Sequence, residues 1–260
     1  MRETGREFDE VLAEAQRLGY AEADPGLDID GIDTAHKLAI LTALAFGCEI
    51  DFDGVHVEGI RAVSSLDIAY AEELGYRIKL LGIAARRAGG VEQRVHPCMV
   101  AKESPIAAVE GVFNGVVAEG DFVGTFMAEG QGAGAGPTAS AVVADLIDIA
   151  RGTSLPTFAV PAVDLERLPS LPIEGHVGSQ YIRLMVRDRP GVIADIAAAL
   201  RDEAISVEAM IQRGRAPDEA VPVIITTHET EDAAMTRALA RIDALDAVLE
   251  PPRRIRIEAL

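Results

Sequence analysis

Residues 19–37 gather five carboxylates (Glu22, Asp24, Asp28, Asp30 and Asp33) and end on Lys37. The chain holds only three lysines, at positions 37, 79 and 102. Carboxylates can bind an ammonium group, and a single amine behind them can move one proton. Lys37 follows Asp33 by four residues, so on a helix the two side chains share a face. The helix expected over 34–46 is apolar nearly all round (Leu38, Ile40, Leu41, Leu44, Phe46), and such a helix is buried on most sides. A half-buried lysine at its mouth needs a partner, which Asp33 supplies, and burial would lower its proton affinity toward working pH. The competing reading is a solvated acidic loop before a helix N-terminus that favours carboxylates. Asp9, Asp24 and Asp30 take surface or capping roles.

A second candidate is the glycine run 130–136, which leads into a helix expected over Ser140–Arg151. Such loops can present backbone N–H groups to phosphates. The G-x-G-x-x-G fingerprint of dinucleotide binding fails here, because Ala135 and Pro137 stand where its last glycine should be. What remains is a flexible crossover or a close backbone approach to a ligand. The third is Asp188-Arg-Pro-Gly191-Val192, a strand-to-helix joint that reads equally as a tight turn or an effector-binding loop. The five histidines (36, 56, 96, 176, 228) and two cysteines (48, 98) show no metal-ligand spacing, and the cysteines read as reduced, buried thiols.

Several elements position these residues. Phe8, Val11, Leu12, Ala15 and Leu18 mark an amphipathic helix over 6–18, followed by an acidic loop over 20–33. Asp33 or Thr34 is expected to cap the next helix. Alternation suggests a strand over Ile50–Val57, and Ser65–Leu74 reads as a helix with Gly75 as its stop. Tyr76–Arg86 and Val91–Val100 form a hairpin around Gly89-Gly90. Strand-like runs follow near 108–117 and 122–128. Four prolines and no clear period mark 153–178 as a linker. From 179 the order is βαββαβ: strands Tyr181–Val186, Ile205–Arg213, Val221–Thr227 and Val248–Ile257, helices Val192–Leu200 and Glu231–Leu245. That order predicts a four-stranded antiparallel sheet with two helices on one face.

At 260 residues and 49% hydrophobic the chain can bury a sizeable core. Its net charge of −18 argues against nucleic-acid and anionic-membrane partners, which need basic patches. Residues 1–60 carry 14 acidic against 4 basic groups. The charged N-terminus does not read as a signal peptide, and the longest apolar run, Leu38–Cys48, is too short to span a bilayer. A cytoplasmic location is expected.

Gly19-Tyr-x-Glu-x-Asp-Pro-x-x-Asp-x-x-Gly-x-Asp-x-x-x-Lys37 resembles the catalytic signature of homoserine dehydrogenase. Gly132-Ala-Gly-x-x-Pro-Thr-Ala-Ser-Ala141 resembles that family's later glycine segment, and the unit from 180 resembles an ACT regulatory domain. The resemblance implies an α+β protein: a mixed α/β catalytic domain over 1–152, the linker, and a ferredoxin-like ACT domain over 179–260. It implies interconversion of L-homoserine and L-aspartate 4-semialdehyde with NADP or NAD, in threonine, methionine and isoleucine biosynthesis. Lys37 would shuttle the proton and Asp33 would orient it. Glu22, Asp28 and Tyr20 would hold the substrate, and Gly132 and Gly134 would approach the nicotinamide. Asp188, Gly191 and Val192 would meet an amino-acid effector such as threonine, in a homodimer or homotetramer. No metal site is implied among these residues.

Ala23 stands where the family usually has proline, and the Rossmann unit that precedes the signature in the family is missing. The chain is therefore expected to be a C-terminal portion, inactive by itself. The alternative is a non-catalytic, amino-acid-sensing dimeric module.

Overall fold

The hairpin expected around Gly89-Gly90 forms the spine of the molecule in the computed structural model, which describes residues 1–2, 4–17, 24–132, 134–213 and 218–259. The N-terminal part runs α1 (Phe8–Arg17), α2 (Gly26–Ile29), α3 (Ile32–Phe46), β1 (His56–Val57), α4 (Ser65–Glu73), β2 (Tyr76–Arg87) and β3 (Gly90–Ala101). A two-stranded sheet, β4 (Phe113–Gly120) with β5 (Gly124–Gln131), precedes α5 (Ala135–Ala150). After the short β6 (Ser170–Leu171) come β7 (Val177–Arg187), α6 (Val192–Asp202), β8 (Val207–Gln212), β9 (Ala220–Thr227), β10 (Thr230–Glu231), α7 (Asp232–Asp243) and β11 (Arg253–Glu258). The fold is α+β, and the last unit has the ferredoxin-like strand order β11-β7-β9-β8.

Both parts belong to one mixed sheet. One edge of β3 pairs with β2 along its whole length, from Gly90↔Arg87 to Ala101↔Tyr76. The other edge takes three short strands in succession. β6 pairs at Val91 and Glu92, β1 at Arg94 and Val95, and β11 at Cys98, Met99 and Val100, all parallel. Strand side chains alternate between faces. On one face Val95 packs with Ala35, Leu38 and Ala39 of α3, while Met99, Tyr181, Ile224 and Ile255 pack with Tyr70 and Ala71 of α4. On the other face Ile182, Leu184, Val223 and Ile225 pack under Ile196 and Leu200 of α6 and Met235 and Ile242 of α7. The sheet is thus covered on both sides, and β3 is buried at every residue but its last, Ala101.

Several boundaries differ from expectation for local reasons. The acidic stretch contains a single helical turn, α2. Gly31, at φ +82°, caps α3 from the left-handed region without a side-chain bond, so neither Asp33 nor Thr34 is the cap. β1 is only two residues long, because the rest of 50–57 turns around Asp51, whose carboxylate accepts from Gly54 N. α5 starts at Ala135, five residues early, because Pro137 fits its first turn. Pro251-Pro252 removes two ladder donors, so β11 begins only at Arg253. The 153–178 stretch is stitched to the sheet through β6 and through the Cys48–Glu166 bridge.

α4 shows how the two parts are tied. Ser64 and Asp67 form a reciprocal capping box. Asp67 is buried and also accepts from Arg183 Nε at 2.7 Å and Tyr181 Oη at 3.1 Å, both on β7. Removing this carboxylate strands a buried guanidinium and half of a cap. Asp67→Ala is expected to cost about 3–5 kcal/mol in urea unfolding followed by circular dichroism. The exposed control Glu119→Ala should change stability by less than about 0.5 kcal/mol. Equal, small losses in both variants would contradict this role for Asp67.

Candidate active site

The corner between α2 and α3 carries the candidate chemistry. Gly31 is buried, and a Cβ there would lie 3.1 Å from Val95 and 3.3 Å from Val57, so the chain turns against the sheet where only glycine fits. Ile60 N donates to Ile29 O at 2.8 Å and fastens the end of α2 to the segment after β1. From this anchored corner α3 projects Asp33 in its first turn and Lys37 one turn later. Lys37 Nζ donates to Asp33 Oδ2. Asp28 lies on the exposed side of α2 and has no side-chain partner among the described residues. The neighbouring carboxylates are engaged: Asp24 accepts from Gly26 N at 3.1 Å, and Arg61 grips Asp30 through two bonds of 2.5 and 2.9 Å.

The environment of Lys37 differs from expectation. Its side chain is 64% exposed and that of Asp33 47%. α3 buries only one face, through Ala35, Leu38, Ala39, Thr42 and Ala43, and leaves Ile40, Leu41 and Leu44 open. The lysine therefore stands beside an uncovered apolar strip rather than inside a core. His36 does face away from it, stacked on Phe52 at 4.4 Å between ring centroids.

Tyr20 and Glu22 lie outside the described residues. Gly132 lies against Asn114, whose amide nitrogen would be 1.7 Å from any added Cβ, so local packing accounts for this glycine. Gly134 is different: at φ +112° it precedes α5 with no neighbour crowding the missing Cβ closer than Pro137 at 3.7 Å, so its backbone is bare. In the second unit, Gly191 (φ +94°) caps α6 without a side-chain bond. Val192 sends its side chain into the core, leaving only its backbone for a ligand. Asp188 is held by Gln212 Nε2 at 3.3 Å and by backbone bonds to Asp218 and Glu219.

A cluster of buried charges at the seam of the two parts is absent from the sequence reading. Arg94 donates to both oxygens of Glu258 at 2.9 Å. Arg256 bonds Asp232 at 2.8 Å and Glu58 at 2.9 Å, and His176 meets Glu92 at 2.8 Å. Burial pushes the Glu58 carboxyl up, but the bond from His56 and the charge and bond of Arg256 outweigh it and hold it at about 2. The His176 bond, helped by Arg94 and opposed by burial, holds Glu92 at about 2. Burial first, then the Arg256 charge, drive His96 down to about 3. His96, Cys98 and Glu258 bring ligand-type atoms within 4.8 Å of one another, but Glu258 is already neutralised by Arg94, which is poor ground for a cation.

A homoserine dehydrogenase family model matches residues 1–147, more than half of the chain, and an ACT domain model matches 180–244. The chain belongs to the homoserine dehydrogenase family. It is 46% identical to the homoserine dehydrogenase of Pseudomonas aeruginosa over 267 aligned residues, covering all of this chain and 62% of that protein. The enzyme of the same name from Neisseria gonorrhoeae is also 46% identical, with 61% of it covered. The crystal structure of a homoserine dehydrogenase from Thiobacillus denitrificans superposes with a TM-score of 0.90 at 50% identity, over 99% of this chain and 60% of that one. The chain thus spans about three fifths of the length of the relatives it matches.

In this family member the seam should be acid-sensitive. Glu58, Glu92 and His96 all have folded proton affinities below their ordinary values of 4.5, 4.5 and 6.5, so the unfolded chain binds more protons. Their stabilising contribution is complete above about pH 6.5. It should fall as the pH drops through 6.5 toward 3, where His96 binds a proton in the unfolded chain but not in the folded one, and further below 4.5 as the unfolded chain's glutamates do the same. Melting temperatures across pH 3–8 test this, and a Tm that stays flat from pH 7 to pH 4 would contradict it.

Proposed function

We propose that this chain supplies the substrate-binding and proton-transfer part of a homoserine dehydrogenase, interconverting L-homoserine and L-aspartate 4-semialdehyde together with a nucleotide-binding unit. The observation that carries the reading is the Asp33–Lys37 pair, presented on an open helix face at a corner fixed by Gly31. On oxidation Lys37 Nζ takes the hydroxyl proton of homoserine, and on reduction it returns a proton to the aldehyde oxygen. Asp33 aims the amine. Asp28, with Glu22 and Tyr20, receives the ammonium and hydroxyl end of the substrate, since a zwitterion needs carboxylates beside its cation. Bound NADP or NAD supplies the hydride acceptor or donor. Gly134, with its bare backbone, fits close approach of the nicotinamide end.

The open surfaces support the need for a nucleotide-binding unit. α5 buries no residue, and Val142, Val143, Leu146 and Ile149 on it are all at least half exposed. Ile40, Leu41 and Leu44 of α3 are open as well, and both helix faces are available to a further unit. With the nucleotide-binding unit joined, Lys37→Ala should lower kcat for homoserine oxidation by about 10²–10⁴-fold. Near-normal turnover in that variant would remove Lys37 from the mechanism.

A second activity is amino-acid sensing by the ACT unit, favoured by Gly191, which caps α6 from the left-handed region with no side-chain cap bond of its own. Threonine is the expected effector. Calorimetry should register threonine binding that Gly191→Ala weakens, and the absence of heat with the unaltered chain would contradict this reading.

A further inference from the structure

The two parts of the chain meet where a regulatory element could reach the substrate corner, and Arg256 makes the closest ion pair there, to Glu58, with Arg254 at 3.9 Å from the same carboxylate. Arg256 lies on β11, the last strand of the ACT unit, with its side chain 2% exposed. Asp232, at the start of α7, fixes it through Nε at 2.8 Å and Nη2 at 3.2 Å. Its remaining Nη1 donates to Glu58 Oε1 at 2.9 Å. Glu58 belongs to the other part of the chain, directly after β1. His56 Nε2 meets the same carboxylate at 2.7 Å.

The backbone of Glu58 is equally committed. Its N–H donates to Val95 O at 2.7 Å, which places it against the centre of β3. Its carbonyl oxygen lies 3.5 Å from where a Cβ would sit on Gly31, the residue that opens α3. Two residues on, Ile60 N holds Ile29 O, the end of α2. The segment 57–60 is therefore the seat of the α2–α3 corner, and Asp28, Asp33 and Lys37 all project from that corner. A movement of β11 or α7 that shifts Arg256 pulls on Glu58, and the next residue, Gly59, packs so closely on the end of α2 that a Cβ there would lie 2.5 Å from Ile29 O.

We propose that Glu58 is a positioning residue for the substrate corner and that the Glu58–Arg256 bond is the route by which the ACT unit acts on it. This rests on the dehydrogenase reading above for its catalytic consequence, but not for the mechanical link itself. Glu58 touches no reacting atom in this scheme. It sets the placement of Asp28, Asp33 and Lys37 through the backbone.

The test is Glu58→Gln, which keeps shape and removes the charge, with Glu58→Asp as the conservative partner. Arg256→Met is a poorer choice because it also removes two of the bonds to buried Asp232 and leaves that carboxylate to Arg254. Hydrogen exchange on this chain should show residues 26–37 opening about tenfold faster in Glu58→Gln, as expected for losing one charge-assisted bond, with β7 and β9 unchanged. Glu58→Asp should recover part of the protection. With the nucleotide-binding unit joined, Glu58→Gln should raise KM for homoserine by about tenfold and leave KM for the cofactor unchanged. Unchanged exchange over 26–37 would overturn the proposal, as would exchange that rises equally throughout the sheet. If the unaltered joined protein does not oxidise homoserine while 26–37 still loosens in the variant, the dehydrogenase reading fails and the link stands.

Discussion

One edge of β3 sets the register of three distant parts of the chain. β6, β1 and β11 are laid along it end to end, at residues 91–92, 94–95 and 98–100. A strand slip of one residue would turn every side chain to the opposite face. That would expel Val95 and Met99 from under the helices and carry Arg94 and His96 into an apolar layer. The α2–α3 corner depends on this edge because Gly31 rests on Val95 and Val57, one pair of residues that β3 and β1 hold in register. The ACT unit depends on it because β11 joins β3 on one side and β7 on the other.

The polar face of β3 makes the seam specific rather than merely sticky. Glu92, Arg94 and His96 are buried opposite Arg256 and Glu258 of β11, and each charge needs its partner. A hydrophobic seam of the same size could hold the two parts with equal strength, since buried ion pairs seldom add net stability. It would not punish misregistration in the same way. A mispaired strand would leave carboxylates and guanidiniums buried alone, at several kcal/mol each. The Asp67–Arg183–Tyr181 group does the same on the other face of the sheet.

Local chemistry was legible in the sequence. Ser64 or Ser65 offers a cap, Gly89-Gly90 a hairpin and Pro137 a first turn, and Ser64, the hairpin and the first turn are realised. The pairing of Asp33 with Lys37 followed from helical spacing alone. The burial of Lys37 did not follow, because an apolar helix reads the same whether its second face meets a core or open solvent. The left-handed cap at Gly31 escaped notice because Asp33 and Thr34 are commoner caps. The seam was invisible for a different reason. Charges alternating with apolar residues in Arg253-Arg-Ile-Arg-Ile-Glu258 look like an exposed strand face. Only the tertiary pairing of β11 with β3 buries them.

The joined functional claim is that residues 26–37, seated on this sheet, form the homoserine end of an active site. The scarcity of lysine makes a direct measurement possible. Lys37 is largely exposed, Lys79 donates to the carbonyl of Val109, and Lys102 is paired with Glu72. Amine acylation of the protein joined to its nucleotide-binding unit, read by mass spectrometry, reports on all three at once. With homoserine and the reduced cofactor present together, a pair that cannot react, acylation of Lys37 should slow sharply while Lys79 and Lys102 label as before. Labelling of Lys37 at an unchanged rate under saturating homoserine would contradict the account.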